Sequence, residues 1–316
     1  MNAKYILKKL ITMLFTLFLI SFFVFVAFAV IPGDPALSKL GTEATPEQLE
    51  ALRNEMGLND PFFVRYINWV KDFFSGGMGQ SYNYNMSVSA LILDKLPITL
   101  TLSFISFILV VGISLFLGLY AVRHEGKWID RIIVVANQVV MAIPPFFAGI
   151  LISYVFGLLL KWFTPGNYVN YDKDIFAFVG YLIAPAIAIA LPKIAMSAKL
   201  LRSSLLEEAD KDYIRTAYSR GNSTKQVLYR HALKNALIPM ITFWAMVFTD
   251  LFAGSVVIEQ VFGIPGLGRI LLVSISNRDY PVVEAIIVLL AFVIILVNML
   301  VDIIYRIVDP RMRQSR

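Results

Sequence analysis

The sequence contains no cysteine and only two histidines among its 316 residues. The lack of cysteine excludes disulfide frameworks, iron–sulfur clusters, zinc sites built from thiolates and cysteine nucleophiles. Charged residues are also scarce, at 16%, whereas hydrophobic residues make up 58%. Soluble domains average about 25% charged and about 45–50% apolar residues. The composition therefore favours a membrane protein with few groups for metal or covalent chemistry, and we predict no metal site and no catalytic residue.

Six apolar runs are long enough to cross a membrane as helices. About 20 helical residues cross the roughly 30 Å hydrocarbon layer, and a helix satisfies its own backbone hydrogen bonds there. We therefore predict an all-α polytopic membrane protein with six transmembrane helices. The predicted spans are residues 10–31, 98–122, 132–160, 175–191, 236–262 and 282–304.

Basic residues predict the orientation of these spans. With both termini in the cytoplasm, 19 of the 28 lysines and arginines lie inside. This is the positive-inside pattern, and it explains the net charge of +6 without a nucleic acid. The predicted division is an N-terminus and first helix, an extracytoplasmic helical loop, a five-helix core and a cytoplasmic tail. Their bounds are residues 1–31, 32–95, 96–305 and 306–316.

An alternative interpretation of the first run is a cleaved secretory signal. Ala27, Phe28 and Ala29 fit an A-x-A cleavage site. The apolar run before that site is about 17 residues, however, and signal peptides have apolar regions of about 7–15 residues. Because five further spans follow, we interpret the run as a transmembrane helix.

The long loop after the first span carries three helix signals. Thr45 can cap a helix through Gln48, and Gly57 can end that helix. A second helix is predicted to begin at Asp60 and Pro61, and a third to run from Ser87 to Leu96. The second has residues at helical spacing, namely Phe63, Ile67, Val70 and Phe74. The loop is either a packed lid or a docking surface for something delivered from outside.

The loop at 199–235 is strongly basic and has a glycine break. The pattern predicts a helix to about Arg220, a break at Gly221 and Asn222, and a second helix begun by Ser223 with Gln226 as its capping partner. Glycine can adopt the positive φ that closes a helix, so two helices can meet at a sharp angle. Such a pair can insert into a partner's groove, although an ordinary basic cytoplasmic loop remains the alternative.

The sequence of this loop resembles a known family. Residues 212–221 (DYIRTAYSRG) and 227–239 (VLYRHALKNALIP) resemble the EAA-type cytoplasmic loop of ATP-binding-cassette (ABC) importer permeases. More narrowly, they resemble the B-type permease of the dipeptide/oligopeptide/nickel branch. Other segments similar to this branch are 32–35 (PGDP), 261–269 (VFGIPGLGR), 278–281 (RDYP) and 309–311 (DPR). Two positions depart from the general pattern: Thr216 replaces its first alanine and Lys234 its closing proline.

The resemblance implies the type I ABC importer permease fold in the bacterial cytoplasmic membrane. It also implies a second related permease, two cytoplasmic ATPase subunits and an extracytoplasmic solute-binding protein as partners. ATP and Mg²⁺ would bind the ATPases, and this chain would hold no cofactor, consistent with the lack of a phosphate-binding G-x-x-x-x-G-K-[ST] motif. The residues expected at the ATPase-coupling loop are Arg215, Thr216, Ala217, Arg220, Gly221, Asn222 and Ser223.

Polar residues inside the spans are candidates for a translocation path, because they are expensive in lipid. Asp250 and Asn298 are the leading candidates, although Asp250 could instead bond a neighbour such as Asn298 or Thr249. Prolines 144, 145 and 185 can kink the third and fourth spans. Gly263, Pro265, Gly266 and Gly268 lie on the predicted outer side, and they form either an outer gate or a simple rigid turn.

Peptides are the expected solute, since specificity in this branch resides largely in the binding protein. Nickel, another metal chelate or a small solute would fit the same architecture. A stand-alone channel would not need the angled basic loop. A membrane enzyme would need a group of catalytic residues, and two histidines with no cysteine leave few candidates for one.

Overall fold

The computed structural model describes residues 3–41 and 43–308, with side chains for 7–41 and 43–304. The part of the chain so described contains 13 α-helices and no named strand. Their bounds are α1 Ala3–Val30, α2 Pro35–Leu40, α3 Pro46–Glu55, α4 Phe62–Phe74, α5 Val88–Arg123, α6 Trp128–Met141, α7 Pro145–Ile152, α8 Ile175–Ala209, α9 Asp212–Ser219, α10 Thr224–Gln226, α11 Leu233–Phe262, α12 Leu267–Ser276 and α13 Tyr280–Val308. Two π-helical segments extend α7 and join α10 to α11, namely Ser153–Leu159 and Val227–Ala232.

Within residues 3–41 and 43–308, five helical stretches are long and apolar enough to cross a membrane, and a bent pair supplies a sixth. The five are Leu7–Val30, Val88–Arg123, Ile175–Ala209, Thr224–Phe262 and Tyr280–Ile304. The predicted all-α fold with six spans is therefore confirmed when the bent pair is counted as one span. The last residues of the predicted tail, 309–316, lie outside the described residues, as does the DPR segment.

The third predicted span is not one straight helix. α6 and the stretch Pro145–Leu159 meet at 98°. Pro144 and Pro145 cause the break, because proline lacks the N–H that would continue the helical ladder and keeps the preceding residue extended. The predicted kink is thus confirmed here. In α8, by contrast, Pro185 and Pro192 lie inside a continuous helix of 35 residues.

The helices of the long outer loop match the predicted caps but not every predicted boundary. Thr45 and Gln48 form the reciprocal capping box that begins α3. The third predicted helix does begin after Ser87, but it does not end at Leu96, because α5 continues through Pro97 into the second span. A proline costs only one ladder hydrogen bond there, and the apolar run continues on both sides. The short helix α2, capped by Asp34, was not predicted.

Contacts divide the chain into two compact units, and α5 and α13 contribute to both. The first unit comprises Met1–Thr99 and Pro265–Leu296, and the second comprises Leu100–Ile264 and Val297–Arg316. In the second unit, α8 packs against α6, α7 and α11. Its buried positions are rich in alanine, which permits close helix approach.

In the first unit, α4 packs on α1 through aromatic rings. Tyr66 is buried, its ring lies edge-on to Phe22 and Phe25, and its hydroxyl lies 3.0 Å from Ser21 Oγ. The residues that recur at helical spacing in the sequence lie elsewhere: Phe63, Ile67 and Phe74 are exposed. α4 is apolar on two sides, and the side with the larger rings is the one that is packed.

Asp279 joins the outer loop to the start of α13. It is fully buried and accepts hydrogen bonds from Ser81 Oγ at 2.5 Å and from the backbone N–H groups of Tyr82 and Asn83. A buried carboxylate needs such donors, because an unpaired one would be strongly destabilising. These contacts fix the loop around residues 81–83 on the first unit.

Candidate functional site

α9 is a short amphipathic helix in the second unit, within the loop at 199–235. Its residues Ile214 and Ala217 are buried, whereas Arg215 and Thr216 are exposed. The buried pair joins a core cluster formed by the ends of α8 and α11 and by the π-helical segment between them. The other buried members are Leu201, Leu205, Val227, Leu228, Ala232, Ala236 and Met240. The buried side of α9 thus packs on this core cluster, and the opposite side of the helix stays exposed.

The start of α9 differs from the prediction of one helix running to about Arg220. α8 ends at Ala209, and Lys211 is extended (φ −77°, ψ 147°) before α9 begins. In one straight helix, Ile214 would follow Leu205 by about two and a half turns of 3.6 residues, so the two would face opposite ways. The break lets both side chains enter the same core.

The exit from α9 forms as predicted. Gly221 adopts φ +80°, and Asn222 Nδ2 donates to the carbonyl of Ala217 at 2.9 Å. Ser223 then starts the next helix with Gln226 as its reciprocal partner, because the Ser223 N–H donates to Gln226 Oε1 at 2.9 Å. That helix is not separate, however, since the helical stretch from Thr224 continues to Phe262.

The predicted coupling residues fall into two groups. Arg215, Thr216, Arg220, Gly221 and Ser223 are exposed. Ala217 is buried and Asn222 is half-buried, so these two support the loop rather than form its outer surface.

A group of hydrogen-bonded side chains anchors α9 to α8 and α11. This group was not predicted from the sequence. Glu208, at the end of α8, is buried and accepts from Lys211 Nζ and from Tyr213 Oη. Asn235 Nδ2, on α11, donates to the same Tyr213 hydroxyl at 2.9 Å. One sequence signal could have indicated this group: a glutamate ends an apolar run, and a lysine and a tyrosine follow within five residues.

The protonation states of Lys211 and Tyr213 favour their hydrogen bonds to Glu208. The hydrogen bond to Glu208 raises the pKa of Lys211 above its ordinary value. Burial, together with the hydrogen bond to Glu208, raises the pKa of the Tyr213 hydroxyl, which therefore stays a donor at neutral pH. Both shifts keep the donors protonated when Glu208 is ionised.

A cleft of about 420 Å³ lies beside α9 within the second unit. Tyr218 and Ile214 line it from α9, Arg123 lines it from the end of α5, and Glu125 lines it from the loop that follows. The arrangement places an apolar recess next to exposed charges.

Asp250 and Asn298 are both exposed in the second unit. Asp250 Oδ2 accepts from Lys193 Nζ on α8 at 2.6 Å. The partner of Asp250 is thus Lys193 and not the alternatives Asn298 or Thr249, whose hydroxyl donates to the Met246 carbonyl. Lys193 was not predicted as the partner of Asp250, because the predicted fourth span ended at Leu191.

The glycine-rich segment after α11 contains a helix that was not predicted. Gly263, in the left-handed conformation (φ +68°), ends α11. Pro265 is half-buried, and Gly266 is buried and caps α12. Gly268 is buried within α12, a helix of ten residues that is too short to cross a membrane.

Comparison with known proteins gives the family. The family model "Binding-protein-dependent transport system inner membrane component" matches residues 111–314, and the corresponding N-terminal model matches residues 2–103. A probable peptide ABC transporter permease of Sinorhizobium fredii is 33% identical over 98% of this chain and 99% of its own length. A putative peptide transport system permease of Brucella melitensis is 36% identical over 99% of each chain.

A third relative is the oligopeptide transport system permease AppB of Bacillus subtilis, at 35% identity over 98% of this chain and 99% of its own length. These matches run along nearly the whole sequence and include the loop around α9, which confirms the permease resemblance. The chain is therefore a multi-pass membrane protein that belongs to the family of binding-protein-dependent transport system inner membrane components.

Proposed function

We propose that the chain forms, with a second related permease, the path by which short peptides enter the cell. An extracytoplasmic binding protein would deliver the peptide, and two cytoplasmic ATPase subunits would supply the energy. The names of the three relatives specify peptides or oligopeptides, which supports this solute class. Nickel or another chelate remains the alternative solute for the same architecture.

The observation that carries the proposal is that α9 exposes one side while its other side packs on the core cluster. α9 follows α8 after a two-residue link, and the helix that leads into α11 begins within a few residues of its end. The contacts of Glu208, Tyr213 and Asn235 tie all three helices together. A force on α9 would therefore reach two membrane helices at once, which is what coupling to an ATPase requires.

The surface of α9 supports contact with a partner protein. Arg215 forms a loose 3.5 Å pair with Asp212, and its side chain is 76% exposed, so its guanidinium is accessible to a partner carboxylate or carbonyl. Tyr218 is exposed at the edge of the neighbouring cleft. Arginine and tyrosine at such positions are typical of interface anchors.

The chain's own part in this system is mechanical. Its sequence has no phosphate-binding G-x-x-x-x-G-K-[ST] motif. We assign ATP, Mg²⁺ and hydrolysis to the partner ATPases and no cofactor to this chain. Closure of the ATPases around ATP would move α9, tilt α8 and α11, and open the path outward; hydrolysis would reset them.

The proposed orientation places both termini and α9 in the cytoplasm and α12 outside. The distribution of basic residues supports it. In this orientation Asp250 and Asn298 border the path, since exposed polar groups within a span are expensive in lipid. Gly263, Pro265, Gly266 and Gly268 would form the outer gate, and the left-handed backbone of Gly263 gives that segment its sharp turn.

The test is uptake by proteoliposomes that contain this chain, its second permease, two ATPases and the binding protein. We expect radiolabelled trialanine to accumulate only with ATP inside and with the binding protein present. Liposomes with this chain alone should show no uptake, whereas uptake there would indicate a stand-alone channel. Uptake of a nickel chelate but not of trialanine by the complete system would contradict the peptide proposal.

A further inference from the structure

An ion pair links α8 and α11 deep within their apolar stretches. Lys193 Nζ donates to Asp250 Oδ2 at 2.6 Å. On the same two helices, the hydroxyl of Tyr181 donates to the carbonyl of Phe262 at 2.5 Å. Lys193 and Asp250 each lie twelve residues from that contact, which corresponds to about 18 Å at 1.5 Å per residue. The pair therefore lies about 18 Å along the two helices from that contact, inside the apolar stretches Ile175–Ala209 and Thr224–Phe262 that are long enough to span a membrane.

The carboxylate of this pair is not enclosed by its own unit. The Asp250 side chain is 59% exposed and that of Lys193 is 22% exposed. Met246 and Val257, at helical spacing from Asp250 on α11, are exposed on the same side. A carboxylate facing acyl chains would be strongly disfavoured, so this side of α11 faces a hydrated cavity or a second protein. A path between two permeases provides both.

We propose that Lys193 and Asp250 bind the two charged ends of a zwitterionic peptide as it passes. The inference rests on the proposed function, since it presumes that this surface lines the path. The Asp250 carboxylate takes the peptide's α-ammonium, and the Lys193 ammonium takes its α-carboxylate. Between transport events the two side chains neutralise each other.

The exchange keeps every charge paired. Separating the two ions of a short pair is unfavourable unless each finds a new partner, and a zwitterion supplies both partners at once. The flexible four-carbon stem of lysine lets its ammonium move to a peptide carboxylate several ångströms away. A peptide with one blocked end leaves one side chain unpaired, so the site distinguishes free from blocked ends.

The test measures ATP-driven uptake of three peptides by the complete reconstituted transporter: trialanine, N-acetyl-trialanine and trialanine amide. We expect Asp250→Asn to lower uptake of the two peptides with a free ammonium by about tenfold and to spare the acetylated one. Lys193→Gln should lower the two with a free carboxylate and spare the amide. Each rate is divided by the wild-type rate for the same peptide, which removes the binding protein's own preference.

The matched control is Asp94→Asn, which neutralises a 2.7 Å pair with Lys95 of similar exposure, 52% and 25%. It should leave all three rates unchanged. The double variant Lys193→Asp, Asp250→Lys keeps an ion pair and should restore trialanine uptake. If it assembles but imports no better than Asp250→Asn, the inference is wrong.

Accessibility gives a second, independent measurement. The chain has no cysteine of its own, so Asp250→Cys introduces a single thiol. A water-soluble cationic thiol reagent should modify it in the full transporter, and excess trialanine should slow the reaction. If the thiol does not react, or if both single variants lose uptake of all three peptides equally, the ion pair has a structural role only. Either result would overturn this inference but not the proposed function. A wild-type transporter that imports none of the peptides would overturn the proposed function as well.

Discussion

The guanidinium of Arg278 lies against Gly33, so two segments about 245 residues apart share one contact. Arg278 Nη1 donates to the carbonyl of Pro32 at 2.5 Å. A methyl group at Gly33 would lie 1.1 Å from that nitrogen, and Gly33 also has φ +141°, which L side chains rarely adopt. The glycine of the PGDP segment is therefore needed to admit the arginine of the RDYP segment.

We predict that Gly33→Ala destabilises the first unit by about 1–3 kcal/mol, because the arginine must leave the Pro32 carbonyl and the backbone is strained. The measurement is thermal unfolding of the detergent-solubilised protein, with proteolysis of the outer loop as a local readout.

Gly76→Ala is the matched control for this prediction. Gly76 also has positive φ (+89°), but nothing lies within 4 Å of the added methyl group. It isolates the backbone strain from the overlap. An equal loss of stability in the two variants would show that the Arg278 contact contributes nothing.

The local helix signals could be predicted from the sequence. Thr45 and Ser223 each begin a helix by bonding a glutamine three residues later, and the positive φ of Gly221 follows from the glycine itself. Such features depend on neighbours within one turn, so composition and spacing determine them. The six apolar runs could be predicted for the same reason.

Contacts between distant residues could not be predicted in this way. Lys193 and Asp250 are 57 residues apart, and their meeting depends on how α8 packs against α11. The break at Lys211 arises because Ile214 must return to a core built by residues of other helices. Local helix propensity continues through that point, and tertiary packing overrides it. The same holds for α5, which packing carries through Pro97.

We predict that the start of α2 becomes less stable as the pH falls below about 4. Burial alone would raise the pKa of Asp34, but hydrogen bonds from Arg53 and the Ala36 N–H lower it below the ordinary 3.8. Because the unfolded carboxyl takes up its proton first, the contribution is complete above 3.8 and is lost as the pH falls toward the lowered value. Arg53 is partly exposed, so we expect less than about 1 kcal/mol.

Hydrogen exchange of Pro35–Leu40 between pH 6 and pH 3, corrected for intrinsic rates, measures this loss. Asp34→Asn is the control, since asparagine still caps a helix but does not titrate. Its protection should be lower at pH 6 and independent of pH. A variant with the same pH dependence as the wild type would contradict the assignment to Asp34.

We predict that Asp130→Ala destabilises the second unit by about 3 kcal/mol. Arg202 Nε and Nη2 donate to the two carboxylate oxygens of Asp130, each at 2.7 Å, and the Asp130 side chain is only 5% exposed. Loss of the carboxylate leaves a half-buried guanidinium without its partner. Tryptophan fluorescence during thermal unfolding measures the effect.

The exposed pair of Asp212 and Arg215 provides the comparison for that variant. Its atoms are 3.5 Å apart and both side chains are mostly solvated. Asp212→Ala should change stability by less than about 0.5 kcal/mol. Equal effects of the two substitutions would show that the bidentate geometry of Asp130 is unimportant.

We predict that Tyr213→Phe loosens α9 and lowers coupled transport. The substitution removes the hydroxyl that donates to Glu208 and accepts from Asn235, at a cost of about 1.5 kcal/mol. Tyr218→Phe is the matched control for the packing of α9, because no hydrogen bond of its hydroxyl is found among the described residues. Hydrogen exchange of α9 and peptide uptake per ATP hydrolysed should both change in Tyr213→Phe, whereas hydrogen exchange of α9 should stay unchanged in Tyr218→Phe.

We predict that Gly221→Val leaves membrane insertion intact but uncouples uptake from ATP hydrolysis. A methyl group there meets nothing within 4 Å, so the obstacle is the backbone at φ +80°, which is unfavourable for a β-branched residue by more than about 1–2 kcal/mol. Relief of that strain would turn α9 out of its position. Gly221→Asn, which tolerates the left-handed conformation, should keep most coupling. The measurement is trialanine imported per ATP hydrolysed in proteoliposomes, and a normal ratio in the valine variant would remove α9 from the coupling pathway.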